Sequence, residues 1–232
     1  MWVFKASVLV AAAAILGTAA WTSVHRKHAA TDPMSARETS STTPAGGEQG
    51  ATSTPDSLSR PFAGGGRISM DLSAGQYKIE GAPDDRIEIR WSVRDADQLR
   101  DVRVQADVKG TGATIATDGP SHNFRVTIRV PARADLHVRL SAGELSLRGI
   151  EGHKDVELNA GELDIDVGRA EDYSDVDGSV WAGEIQATPF HISTGGLFRS
   201  FNWRGPGKYR LHTHLMAGEV RLRATSPAPV ER

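Results

Sequence analysis

The sequence predicts an all-β fold, a single-domain parallel β-solenoid over residues 63–225 with a less regular β cap at its start. Three observations carry this reading. Apolar residues alternate strictly with polar ones, five copies of a short motif centred on Ala-Gly-Glu or Ala-Gly-Gln recur, and no segment keeps a 3.6-residue period. Period-2 alternation marks strands with one buried face, and a Gly or Pro about every ten residues leaves no room for long helices.

The N-terminus comes first. Lys5 precedes an uncharged run, 6–24, with an apolar heart at 8–16, and Thr18, Ala19 and Ala20 offer the small residues of a signal-peptidase site. The same 19 residues come close to spanning a hydrocarbon core of ~30 Å as an uncleaved anchor. Arg26 and Lys27 follow directly, so residues 1–28 read as either a signal peptide or a membrane anchor. Both readings imply export, to the periplasm, the cell surface or the outer side of a membrane, and an uncleaved segment would hold the chain there. Residues 29–62 are Ser, Thr, Pro, Gly and Ala with scattered charges, too little apolar surface to offset ordering entropy, and are expected to be a disordered linker. Residues 226–232 are expected to be a short disordered tail.

Within the domain, 68–72, 87–93 and 102–108 read as the strands of the cap. Phe124, Val126, Ile128 and Val130 then alternate with polar residues. Leu136, Val138 and Leu140 do the same, followed by Val156 and Leu158, then by Leu163, Ile165 and Val167. The motif copies superimpose at 72–79, 140–147, 158–165, 180–187 and 215–222, with glycines at Gly75, Gly143, Gly161, Gly183 and Gly218. In the second copy Leu140 and Ala142 share one face, as do Leu145 and Leu147, yet the three-residue step from Ala142 to Leu145 would put the pairs on opposite faces of a flat strand. Keeping both in one core requires a bend or bulge at the glycine, with the alanine fitting its crowded inside. Gly143, Gly161 and Gly183 lie 18 and 22 residues apart, one turn of a coil each, so these three are expected to stack in sequence order.

Composition excludes several function classes. A net charge of −2 and a pI near 6.4 leave no basic footprint for nucleic acid. The absence of cysteine rules out disulfides, thiolate metal sites, thiol nucleophiles and lipid attachment through an N-terminal cysteine. There is no nucleophile elbow, His-Glu-x-x-His motif, phosphate loop or dinucleotide fingerprint, so no cofactor is expected.

The run 126–152, an extended strand ending in Val130-Pro131 that leads into serial Gly-Glu-hydrophobic units, resembles the bacterial putative-adhesin family of repeated β-strands. The resemblance covers roughly 65–223. It implies a β-solenoid of the cell envelope with no assigned catalytic residues, acting in adhesion, binding or scaffolding. This chain departs from the pattern in using Glu where Asp is frequent and in its long last interval.

Several side chains are candidates for chemistry. Glu144, Glu162, Glu184 and Glu219 would form a column, either a Ca²⁺ site or a solvated corner screened by Arg148, Lys154, Arg221 and Arg223. Calcium loops gather several Asp or Asn in one short segment, which is missing here, so the solvated corner is expected. His212 and His214 point to one side and could hold Zn²⁺ with a third ligand, but no spacing supplies it. Asp164, Asp166, Asp175 and Asp177 lie on outward positions and keep open a polysaccharide hydrolase or lyase. A periplasmic regulatory or stress component is a third reading.

The interval from Gly183 to Gly218 is 35 residues and holds Phe198, Phe201, Trp203 and Tyr209 between Gly195-Gly196 and Gly205-Pro206-Gly207. Trp181 and Met216 occupy the outward slot filled by Ser141 and Asn159 in other copies. Either the insertion folds back to cover them, the arrangement expected here, or Trp181, Phe198, Phe201, Trp203 and Met216 with Arg199 and Arg204 form an exposed patch for a glycan or an envelope protein. The last repeat, with little sequence beyond it, is the other candidate contact surface, for self-association through the solenoid end.

Overall fold

The computed structural model describes residues 53–54, 57–94 and 96–224. The expected signal or anchor segment 1–28, most of the expected linker 29–62 and the expected tail 226–232 lie outside the described residues. Among the described residues there is no α-helix, only three short 3-10 segments, and no helix is long and apolar enough to cross a membrane.

Eight shorter strands come first: β1 (Ser53–Thr54), β2 (Ser57–Pro61), β3 (Arg67–Leu72), β4 (Gly75–Ala82), β5 (Arg86–Ser92), β6 (Arg103–Lys109), β7 (Gly112–Asp118) and β8 (Arg125–Pro131). Five longer ones follow: β9 (Asp135–Arg148), β10 (Lys154–Gly168), β11 (Tyr173–Ala187), β12 (Ile192–Arg204) and β13 (Tyr209–Ala224). The sheet takes in residues ahead of position 63. β2 pairs with β5 and buries Leu58, so the folded part starts earlier than the Ser/Thr/Pro-rich composition indicates.

The long strands β9, β10, β13 and β11 lie side by side in that order, all parallel, while β12 runs antiparallel along β11 as the far edge. At the other side the sheet forks. The first half of β9 pairs with β3, which leads on to β7 and β6; its second half pairs with β4, which leads on to β8, β5, β2 and β1. The two arms face each other across one apolar core, and the Tyr77 hydroxyl of β4 meets Thr117 Oγ1 of β7 at 2.7 Å.

Burial parity confirms the phase slip. Leu136, Val138 and Leu140 are buried, and so are Leu145 and Leu147, an odd step apart. Chain length demands a fold at that point: a flat 14-residue strand would run ~46 Å, whereas the five residues joining β9 to its parallel neighbour β10 reach no more than about 20 Å. Gly143, Gly161, Gly183 and Gly218 take φ between 120° and 149°.

They also stack. In register order Gly75, Gly143, Gly161, Gly218 and Gly183 form a column, and a Cβ on Gly161 would lie 1.8 Å from the carbonyl oxygen of Gly143. The same approach recurs at Gly218 against Gly161 (1.8 Å) and at Gly183 against Gly218 (1.7 Å). Crowding therefore falls on the glycine. The alanine expected on the inside of the bend is half-buried in β9, β11 and β13 and exposed at Ala160, because the parity change turns this stretch outward.

Stacking order departs from sequence order. Gly183 rests on Gly218, and β13 is inserted between β10 and β11. The last repeat is consequently flanked on both sides, and the terminal edge is the insertion strand β12. The interval after Gly183 is long because it holds a whole edge strand and the return segment that carries the chain back inside the stack.

Candidate functional site

Two rows of outward residues cross the sheet at right angles to the strands. One lies at the bend: Ser141, Asn159, Met216, Trp181 and Phe198 follow one another from β9 to β12. It begins polar and ends apolar. Trp181, Leu197, Phe198 and Met216, exposed by 50, 62, 71 and 44%, are the large apolar residues left in the open among the described residues, and all four sit at the β12 end of this row.

The expected cover over Trp181 and Met216 is therefore not what forms. Phe198 touches Trp181 edge to face, centroids 5.6 Å apart and rings at 88°, and both stay exposed. Phe201 and Trp203 instead turn the other way. Phe201 lies over Gly178, where a Cβ would meet its ring at 2.5 Å, and Trp203 packs against the buried Phe190 at 4.8 Å. Alternation along β12 separates the two sets: Phe201 and Trp203 fall opposite core positions Gly178 and Val176, while Phe198 falls opposite the outward Trp181.

Phe198 also has φ +52°, in the left-handed region that costs a bulky side chain on the order of 1–3 kcal/mol. With 71% of Phe198 exposed, burial offsets little of that cost, and the ring it contacts, Trp181, is itself exposed. Leu197 was not legible as part of this patch, since only the strand's exposed corner makes it an outward residue. Arg199 donates from Nε to the Gly195 carbonyl at 3.0 Å, and Arg204 is exposed at the strand's end.

The second row runs Ser69, His137, Asp155, His212, Asp177 and Asn202 across β3, β9, β10, β13, β11 and β12. His137 Nδ1 lies 3.0 Å from Asp155, His212 is hydrogen-bonded to Asp177, and His214 Nδ1 lies 2.8 Å from Ser179. Ser69, His137, Asp155, His212 and Asp177 of this row line a groove of about 570 Å³. Each imidazole is thus tied to a side chain on the next strand, a pairing that needs the cross-strand register and was invisible in the spacing of His212 and His214 alone.

The glutamates stack in the order Glu144, Glu162, Glu219, Glu184, with Arg221 bridging Glu219 and Glu162. Arg148 and Arg223 both pair with Asp164. Lys154 takes no part in this screening. It is 2% exposed, donating to the Tyr173 hydroxyl at 2.8 Å and the Gly152 carbonyl at 3.2 Å, and lies against the Tyr173 ring. Burial lowers its pKa from 10.5 to about 8, against the opposing pull of Asp166, Asp135, Glu151 and Asp172. Burial likewise pushes up the phenol of Tyr173. Lys154 opens β10 at a position in phase with the core, so strand alternation could have placed it inside.

Among the described residues no three His, Asp or Glu side chains converge as a metal ion requires. The outward carboxylates have structural partners: Asp175 accepts from Asn202, Asp177 from His212, and Asp166 from the Gly168 amide.

No family model matches the chain, and neither does any curated protein. The solved structures to which the chain is similar include proteins named as adhesins. A "putative cell adhesion protein" from Clostridium sporogenes has 10% identity and a TM-score of 0.47, covering 73% of this chain and 99% of its own. A "putative adhesin" from Parabacteroides merdae has 12% identity and a TM-score of 0.25, covering 77% and 83%. Another from Bacteroides fragilis has 9% identity and a TM-score of 0.25, covering 76% and 98%.

Proposed function

We propose that this chain is an exported, non-enzymatic module of the cell envelope, a β-solenoid that works by adhesion, binding or scaffolding, and that it makes its contact through the corner of β11 and β12. The observation that carries the reading is the patch of Met216, Trp181, Phe198 and Leu197, contiguous, exposed and including one strained residue. Contiguous exposed apolar surface on a soluble domain marks an interaction site. Trp and Phe are the residues that anchor such contacts, and Arg199 and Arg204 lie in the same strand. The partner is a protein or glycan of the envelope.

The test is binding of the purified domain to isolated bacterial envelopes, compared with a Trp181→Ser/Phe198→Ser double variant of unchanged urea midpoint. Loss of binding in the variant is the expected result. Equal binding by both proteins would sink the site, and cleavage of an envelope polysaccharide that vanishes in a single variant such as Asp164→Asn would sink the non-enzymatic reading. Export is tested by cell fractionation with and without residues 1–28, soluble cytoplasmic protein in both cases being the contrary outcome.

A further inference from the structure

The patch lies beside an open strand edge, and the geometry points to an occupant that uses both: we propose that β12 receives an extended acidic peptide strand from a partner protein, added antiparallel or parallel to its free side. This inference rests on the corner of β11 and β12 being the contact surface.

β12 is 13 residues long and, among the described residues, pairs on one side only, with β11. Alternate residues of such a strand direct their N–H and C=O groups away from the sheet. Natural proteins guard edges of this length with lysine, proline, carboxylates or very short strands. The edge at the end of the other arm, β6, is guarded in that way: Arg103, Asp107 and Lys109 stand along it, and it has seven residues. β12 holds no proline, no lysine and no carboxylate, and presents Leu197 and Phe198 at its middle. Its guards are Arg199, which caps the Gly195 carbonyl, Arg204 and the positive φ of Gly196 and Phe198, so the stretch from Arg199 to Arg204 is the part open to pairing.

Charge selects the partner. Over 191–208 the chain carries Arg199, Arg204 and Lys208 and not one Asp or Glu, in a protein whose net charge is −2. A strand laid along β12 would meet Arg199 on one face and Arg204 on the other, so carboxylates are favoured on either face and a second copy of β12, carrying the same two arginines, is not. A lipid surface fits less well, since the free N–H and C=O groups would enter a medium with no partner for them. A sugar ring fits less well too, because Trp181 and Phe198 meet edge to face and offer no common flat face. In strand addition the backbone supplies affinity and alternate side chains supply selectivity, here through Phe198, Leu197 and the cations.

The experiment uses the full chain and three fluorescein-labelled nine-residue probes read by anisotropy. The first alternates glutamate with valine and phenylalanine, the second has lysine for every glutamate, and the third is the first with alternate backbone nitrogens methylated. Expected are saturable binding of the first probe, no saturation with the methylated one, and binding of the lysine probe weaker by about tenfold or more. Arg199→Glu/Arg204→Glu is expected to reverse the preference between the first two. Absence of binding by the first probe, or equal binding of all three, would overturn the inference while leaving the envelope-binding result with Trp181→Ser/Phe198→Ser to stand on its own. A stable dimer in sedimentation velocity that excludes the probe, or displacement of the probe by phosphatidylglycerol vesicles, would also overturn it and assign the edge to a second copy or to lipid.

Discussion

The four parallel strands β9, β10, β13 and β11 and the strand that ends them, β12, follow the same bend but meet different neighbours. Inside the stack each motif glycine is closed in by the next one, with a carbonyl oxygen 1.7–2.0 Å from where a Cβ would stand on Gly143, Gly161, Gly218 or Gly183. On β12 the residues opposite the motif are Gly195 and Gly196. A Cβ on Gly195 would meet nothing nearer than 3.5 Å. Repetition is strict where a strand is sandwiched and lapses where it is not. The lapse in the repeat thus marks the edge, and the edge is where apolar surface is left exposed.

The largest expected effect tests that contrast directly. Gly161→Ala forces a Cβ onto the Gly143 carbonyl at φ +136° and should cost more than about 4 kcal/mol, read as a collapse of the urea midpoint or of soluble yield. Gly195→Ala on β12 should stay within about 0.5 kcal/mol of the parent. Similar losses at both positions would break the distinction between stack and edge.

The buried lysine sharpens the comparison from the side of the stack. Its folded-state pKa of about 8 lies below the ordinary 10.5, so between these values the unfolded chain holds more protons than the folded one. Stability should therefore rise with pH through that window, by up to about 3 kcal/mol for the full shift. Above pH ~10 the raised phenols of Tyr173 and Tyr77 oppose it, because the unfolded chain then loses protons the folded one keeps. Urea midpoints at pH 7 and 9.5 should differ in the parent and converge in Lys154→Met.

Smaller effects divide β12 by face. Phe201→Ala uncovers Gly178 and the end of the core and should cost about 2 kcal/mol, less than for a fully buried ring. Phe198→Gly relieves a left-handed aromatic and should raise stability by up to about 1 kcal/mol while weakening envelope binding, a trade seen where strain serves a site. His212→Ala removes one exposed tie to Asp177 and should cost about 0.5 kcal/mol.

Much of the fold could be read from the chain. The strands near 68–72, 87–93 and 102–108 match β3, β5 and β6 to within a residue or so, and the phase of Leu140 against Leu145 located the bends. β7 was not legible, because Ala113, Thr114, Ala116 and Thr117 give weak alternation and only pairing with β3 and β6 makes them a strand. β2 was hidden in linker-like composition for the same reason. For the candidate site, the interval after Gly183 pointed to the right residues but merged two faces. Met216, Trp181 and Phe198 became neighbours through register, and Phe201 and Trp203 were sent inward by the same alternation.

What the sequence determined by itself was local: which residues alternate, and where the backbone must leave the allowed region of ordinary residues, since both follow from the side chains along a few positions of chain. What the tertiary structure decided was order. Five repeats of nearly equal shape can stack in many sequences, and nothing in any one copy says which will be its neighbour. Placing β13 between β10 and β11 put the last repeat inside and β12 at the edge, and so decided which aromatic residues meet solvent.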